Sequence, residues 1–149
     1  MSVVSYCSTV YNGTTNLNIQ KIQKIQNFAS KVALGYGKKY DHATAGINKL
    51  GWLKVENKIV YDICVFVYKV IHDQLPPGIL TLETVNHVRS RYTRQSSHLV
   101  VPRTRTVKAD RSVSVRGPKF WNTLPEDIKE CNNFSCFKKK LKSYLFIKQ

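Results

Sequence analysis

Val55-Glu-Asn-Lys-Ile-Val-Tyr-Asp-Ile-Cys-Val-Phe-Val-Tyr-Lys-Val-Ile-His72 is the stretch on which the fold turns. Its apolar positions Ile59, Ile63, Phe66, Val67, Val70 and Ile71 cover more than one stripe of a 3.6-residue helix. A helix of that kind is expected to be the most buried element of its domain. Glu56 in the first turn and Lys69 and His72 in the last suit the helix dipole, and Pro76-Pro77 is expected to terminate the helix. Cys64 falls inside this stretch and reads as a small apolar filler.

Upstream, residues 16–34 predict an amphipathic helix, with Ile22, Ile25, Ala29 and Val32 on one face. Thr14, Thr15 and Asn16 offer N-cap oxygens, and Gly35 stands where a left-handed C-cap belongs. A short helical turn around Ala43 to Leu50 ends at Gly51. Downstream, Leu99 to Val101 before Pro102 reads as a short strand. Val113 and Val115 alternate with serines like a second strand, or else open a helix. Pro118 after Gly117 reads as a first helical position, starting a turn that carries Phe120 and Trp121. Pro125, Glu126 and Asp127 open another short helix toward Glu130. Ser135 is then expected to cap a final helix through Phe146, with Phe137, Leu141 and Leu145 on its apolar face. The fold class is mainly α, with a basic loop and at most a small β-hairpin. No repeat of 20 to 50 residues occurs.

The charge balance narrows the function. The chain has 149 residues and 42% hydrophobic content, enough for a real core, but 24 Lys and Arg face only nine Asp and Glu, a net +15. Such an excess repels itself in the compact state, and a polyanion partner relieves it. All seven arginines fall between Arg89 and Arg116; elsewhere the cations are lysines. Arginine's planar fork suits bidentate phosphate contact. The candidate nucleic-acid contacts are therefore Arg89, Arg91, Arg94, Arg103, Arg105, Lys108, Arg111 and Arg116. Tyr92, between Arg91 and Arg94, is either a stacking platform for a base or an exposed loop aromatic. The last helix adds Lys138, Lys139 and Lys142, alongside Lys140, as an extension of the footprint or a solvated face. Trp52 and Trp121 sit among apolar neighbours and read as core anchors.

Catalytic patterns are absent from the sequence. Its aspartates, Asp41, Asp62, Asp73, Asp110 and Asp127, are scattered and never paired, so no two-metal polymerase centre is expected. Cys131 and Cys136 have no histidine after them, so no zinc finger or knuckle is expected, and no cofactor or small-molecule substrate is implied. No Cys or Ser has a local base, and His72 and His98 carry no motif. Cys7, Cys64, Cys131 and Cys136 are expected to be reduced, because residues 1–13 lack a basic start and an apolar run. The longest apolar stretch, Ile59 to Ile71, is broken by Asp62 and Lys69 and is too short to span a bilayer. An intracellular location, nuclear or cytoplasmic, is the expectation.

Three stretches together resemble one family. The first is Leu50-Gly-Trp-Leu53 with Glu56 and Tyr61, continuing to Val67-Tyr-Lys-Val-Ile-His72 and Pro76-Pro77. The second is Val101-Pro-Arg-Thr-Arg105, and the third Gly117-Pro-Lys-Phe-Trp-Asn-Thr-Leu-Pro125, leading to Phe134-Ser135 and Phe137-Lys-Lys-Lys-Leu141. In order and spacing they are similar to the region after the polymerase core in LINE-type (non-LTR) retrotransposon reverse transcriptases of the jockey-like and chicken-repeat-like kind. Tyr6 to Tyr11 resembles the same family's thumb boundary, with Tyr11 where tryptophan is usual. Lys54 and Asp73 depart from the family's usual proline and glycine.

The resemblance implies residues 1–37 as the end of a polymerase thumb, 38–86 as a helical core, 87–119 as the Arg-rich segment and 120–149 as C-terminal helices. It implies a non-catalytic part of an RNA-directed DNA polymerase that helps grip template RNA or target DNA, with the polymerase domain upstream as partner. The chain would begin mid-thumb and end where such proteins end, as a truncated copy or shortened gene model does. Two other classes stay open: a self-standing basic RNA-binding protein, and a scaffold segment with no nucleic-acid role.

With no paired aspartates, the isolated chain is expected to extend no primer on an RNA template with Mg²⁺. Nucleotide incorporation above a no-protein control would show that a metal centre had been overlooked.

Overall fold

The computed structural model describes residues 13–35, 43–85 and 98–149. Among these it is mainly helical: α1 Asn16–Ala33, α2 Ala43–Lys49, α3 Val55–Ile71, α4 Val107–Asp110, α5 Val113–Asn122, α6 Glu126–Lys129 and α7 Phe134–Ile147. The hairpin reduces to one antiparallel bridge, Thr84 with Leu99, flanked by Val85 N–H to His98 O (2.9 Å) and Val100 N–H to Glu83 O (2.8 Å).

The expected centre holds. The α3 helix buries Val55, Ile59, Ile63, Cys64, Val67 and Tyr68, and α5, α7 and α1 all pack on it, α5 most extensively. Tyr68 has no exposed surface; its ring stacks on Phe137 at 4.3 Å and its hydroxyl donates to Cys131 O at 2.9 Å. Burial pushes the Tyr68 phenol above its ordinary value, so the hydroxyl stays a donor. On α7, Phe137, Leu141 and Leu145 are buried as their four-residue spacing requires. Trp121 is buried as expected, its ring 5.8 Å from that of Phe137, while Trp52 is only half-buried.

Turn chemistry is partly as expected. Gly35 (φ 66°) and Gly51 (φ 64°) take left-handed conformations past α1 and α2. At Gly51 the bonds Gly51 N–H to Asn48 O and Trp52 N–H to Ile47 O complete a Schellman ending. The end of α3 differs from expectation: Pro76-Pro77 does not stop it. The helix stops at Ile71, where Asp73 takes φ 51° and Gln74 N–H bonds Lys69 O at 2.8 Å. Asp73 fills the glycine role without being glycine; Asp tolerates this region better than most side chains.

Of the two readings of Val113 and Val115 the helical one holds: they open α5, and Val115 is buried. Four expectations are corrected. Pro118 is therefore inside a helix rather than at its start. Its missing N–H leaves the carbonyl of exposed Ser114 to solvent, which makes the proline tolerable there. The cap of α7 is Asn133, whose side chain accepts from Ser135 N–H at 2.8 Å; Ser135 is already helical. In front of α1, Thr15 occupies the cap position without a side-chain bond, while Thr14 Oγ1 accepts from Asn18 Nδ2.

The fourth correction concerns which side of α1 is buried. Ile25 and Val32 are exposed and Ile22 and Ala29 half-buried; the buried residues are Ile19, Gln26 and Ser30. Polar groups hold this helix down. Gln26 Nε2 donates to Leu53 O at 2.7 Å, and Gln23 Oε1 accepts from Val55 N–H at 2.9 Å, so α1 caps α3 from outside. Lys54, the cap residue of α3 itself, makes no side-chain capping bond: its N–H goes to Gln149 Oε1 at 3.0 Å, and its Nζ donates to Gln149 O at 2.7 Å.

Gly117 sets the spacing between α5 and α3. A Cβ there would stand 2.9 Å from Val67 Cγ2, and Val67 is fully buried with a stiff β-branched side chain. Gly117→Ala gains up to about 1 kcal/mol of helix propensity but overpacks this contact by about 1–3 kcal/mol. Denaturant midpoints should show a net loss in the parent and a neutral or positive effect in a Val67→Ala background. The same sign in both backgrounds would contradict the close approach.

Candidate nucleic-acid interface

The Arg-rich segment divides into parts. Arg89, Arg91, Tyr92 and Arg94 lie outside the described residues. Residues 100–106 lead from the Thr84–Leu99 bridge into α4, which Thr106 caps by accepting Ala109 N–H at 3.2 Å. Leu99 is held on its other side by Asn122, whose Oδ1 accepts Leu99 N–H and whose Nδ2 donates to Leu99 O, both at 2.9 Å. A side-chain amide on α5 thus serves in place of a second strand. Nothing in the sequence period marked Asn122, because its role is one reciprocal pair across 23 residues.

From this anchored lead-in, Arg103, Arg105 and Lys108 project as exposed side chains. None of the three makes an ion pair among the described residues. The reason lies at Asp110, the one acid between His87 and Lys119. Lys119 Nζ donates to Asp110 Oδ1 at 2.6 Å; this hydrogen bond, with the charges of Lys119 and Arg116, holds the carboxyl below its ordinary range. The segment's only counter-charge is thereby engaged on the α5 side. An ion placed against Arg103, Arg105 and Lys108 meets no competing carboxylate from that acid.

Arg111 and Arg116 are placed differently. Both are half-buried and engaged with other groups. Arg116 lines a hollow of about 260 Å³ with Asn16, Glu56, Asn57 and Phe120, facing α1 and α3. It belongs as much to the packing of α5 as to any outward surface.

The lysine face of α7 is exposed at Lys138, Lys139 and Lys142, opposite Phe137, Leu141 and Leu145. Lys138 Nζ stands 5.0 Å over the Phe134 ring, which Lys69 Nζ also approaches at 5.4 Å. Lys140 Nζ donates to Asp127 O at 3.1 Å. Lys139 and Lys142 are thus the outward charges of this face, on a different element from Arg103, Arg105 and Lys108.

A further surface was not foreseen. Leu17, Ile25, Phe28 and Val32 of α1 are between 59% and 70% exposed. They share one stripe with Lys21 at its middle, and α1 contains no acid. Sequence periodicity found an apolar face on α1 but could not show that the helix turns much of it outward.

Among the described residues, no group of three or more His, Cys, Asp or Glu side chains converges as metal ligands would. Cys64 is enclosed in α3, and burial pushes its thiol up to about 12. No helix among the described residues is long and apolar enough to cross a membrane. The chain matches no protein-family model, no curated protein and no solved structure.

Proposed function

We propose that this chain is the non-catalytic C-terminal region of a LINE-type reverse transcriptase, and that it grips the backbone of template RNA or target DNA through its basic surface. The supporting observation is the set Arg103, Arg105 and Lys108: exposed, on an anchored lead-in, while the neighbouring Asp110 is taken by Lys119. In a chain of net +15 these cations make no ion pair among the described residues, and arginine's fork fits phosphate oxygens. The family resemblance adds the polymerase context. Its stretches fall at the start and end of α3, at the Gly117–Leu124 segment packed on α3, and along α7. The protein partner under this reading is a polymerase domain, which would also cover the exposed stripe of α1.

A second reading, a scaffold segment without nucleic-acid contact, is favoured by that stripe alone. Salt titration separates the two. If about five arginines touch phosphates, log K against log salt on duplex DNA should have a slope near −4 to −5, from roughly 0.9 per phosphate. Replacing Arg89, Arg91, Arg94, Arg103 and Arg105 by Gln should flatten the slope and weaken binding to all sequences alike. Replacing Lys138, Lys139, Lys140 and Lys142 by Gln should matter less, because ammonium groups bind phosphate as point charges without the fork. An unchanged slope in the arginine variant, or a larger loss in the lysine variant, would put the footprint elsewhere. No binding by the parent chain at low salt would leave the scaffold reading.

A further inference from the structure

Two of the three cysteines among the described residues touch: Cys131 Sγ and Cys136 Sγ are 3.9 Å apart. Cys131 ends the α6 turn, its N–H directed to Ile128 O and its own Sγ–H to Asp127 O at 3.4 Å. It is buried, whereas Cys136 is exposed in the first turn of α7. A disulfide needs the sulfurs at about 2.05 Å, and rotation of the exposed Cys136 side chain supplies most of the approach. Cys64 gives the contrast: enclosed, single, and with its thiol pushed up to about 12.

From this juxtaposition we propose that Cys131 and Cys136 form a reversible dithiol–disulfide site whose oxidant is a small-molecule disulfide of the glutathione class. Cys136 Sγ, as thiolate, attacks one sulfur of the oxidant. The Cys136–glutathione bond forms, the oxidant's S–S bond breaks, and the leaving thiolate takes a proton from solvent. Cys131 then loses its proton to solvent and attacks Cys136 Sγ, releasing the second glutathione as thiol. Two protein thiols are oxidised and one glutathione disulfide is reduced to two thiols. The exposed member opens the exchange and the buried member resolves it, as their surroundings require.

The site sits at a structural junction. The Cys131 carbonyl accepts the hydroxyl of Tyr68, the side chain at the middle of the core. Closing the ring from Cys131 to Cys136 fixes the link between α6 and α7 in the conformation that keeps this bond. Oxidation therefore tightens the attachment of α7 to α3 without altering the apolar contacts themselves.

The test uses the full chain equilibrated in glutathione buffers from reducing to oxidising, quenched with acid and digested with trypsin. The tryptic peptide 130–138 contains both thiols, and oxidation should remove two hydrogens from it, reversibly with dithiothreitol. The oxidised chain should melt roughly 5 °C higher than the reduced one. Cys131→Ser should trap a glutathione adduct on Cys136, whereas Cys136→Ser, at an exposed position that leaves the fold intact, should leave Cys131 unmodified. A stable glutathione adduct on the parent peptide, or two free thiols there under oxidising buffer, would overturn the proposal. So would modification of Cys131 in the Cys136→Ser chain.

Discussion

The α3 helix buries side chains on more than one stripe, so no single neighbour can cover it. Most of the remaining structure answers that demand. The α5 helix comes in close because Gly117 has no Cβ to hold it away from Val67. The α7 helix brings Phe137 against the Tyr68 ring, and the Tyr68 hydroxyl reaches past it to the chain just ahead of α7. Even the N-terminus of α3 is completed by others: Gln23 from α1 and Gln149 from the end of the chain take its first amides. Residues 88 and more positions apart in sequence meet here, as Asn57 Nδ2 does with Leu145 O at 3.0 Å. One core cluster runs from Ile19 to Leu145.

Elements held by apolar burial were legible in the sequence, and elements held by polar groups were not. The α3 and α7 helices show their burial as hydrophobic spacing, and Trp121 declares itself by its size and neighbours. The buried side of α1 is written in Gln23, Gln26 and Ser30. An amide side chain that bonds to backbone 27 or 32 residues away looks, in one dimension, like a surface residue. The valine–serine alternation at 113–115 carries strand propensity, and the burial of Val115, Gly117 and Pro118 in α5, with Gly117 directly against Val67 of α3, overrides it. The stop at Asp73 was hidden because the left-handed position is held by a residue that takes it only moderately well.

The candidate interface was legible as composition and illegible as geometry. Segregation of every arginine into one segment pointed to the right stretch for a charge argument. Only the fold separates Arg103, Arg105 and Lys108, which face outward, from Arg116, which is drawn into a hollow beside Glu56. The role of Asp110 depends on an ion pair across nine residues and two helices, and that of Asn122 on one reciprocal amide pair. The nearness of Cys131 and Cys136 comes from the Asn133-capped turn between two helices, which no ligand-spacing rule describes.

Because the other elements depend on α3, it must be the last to open. Native-state hydrogen exchange resolved by residue measures this directly. The amides of Ile63 to Tyr68 should exchange slowest of all, only through global unfolding, with protection that follows denaturant as the whole-chain transition does. Earlier, local opening of Ile63 to Tyr68 while α7 or α1 stays protected would contradict it.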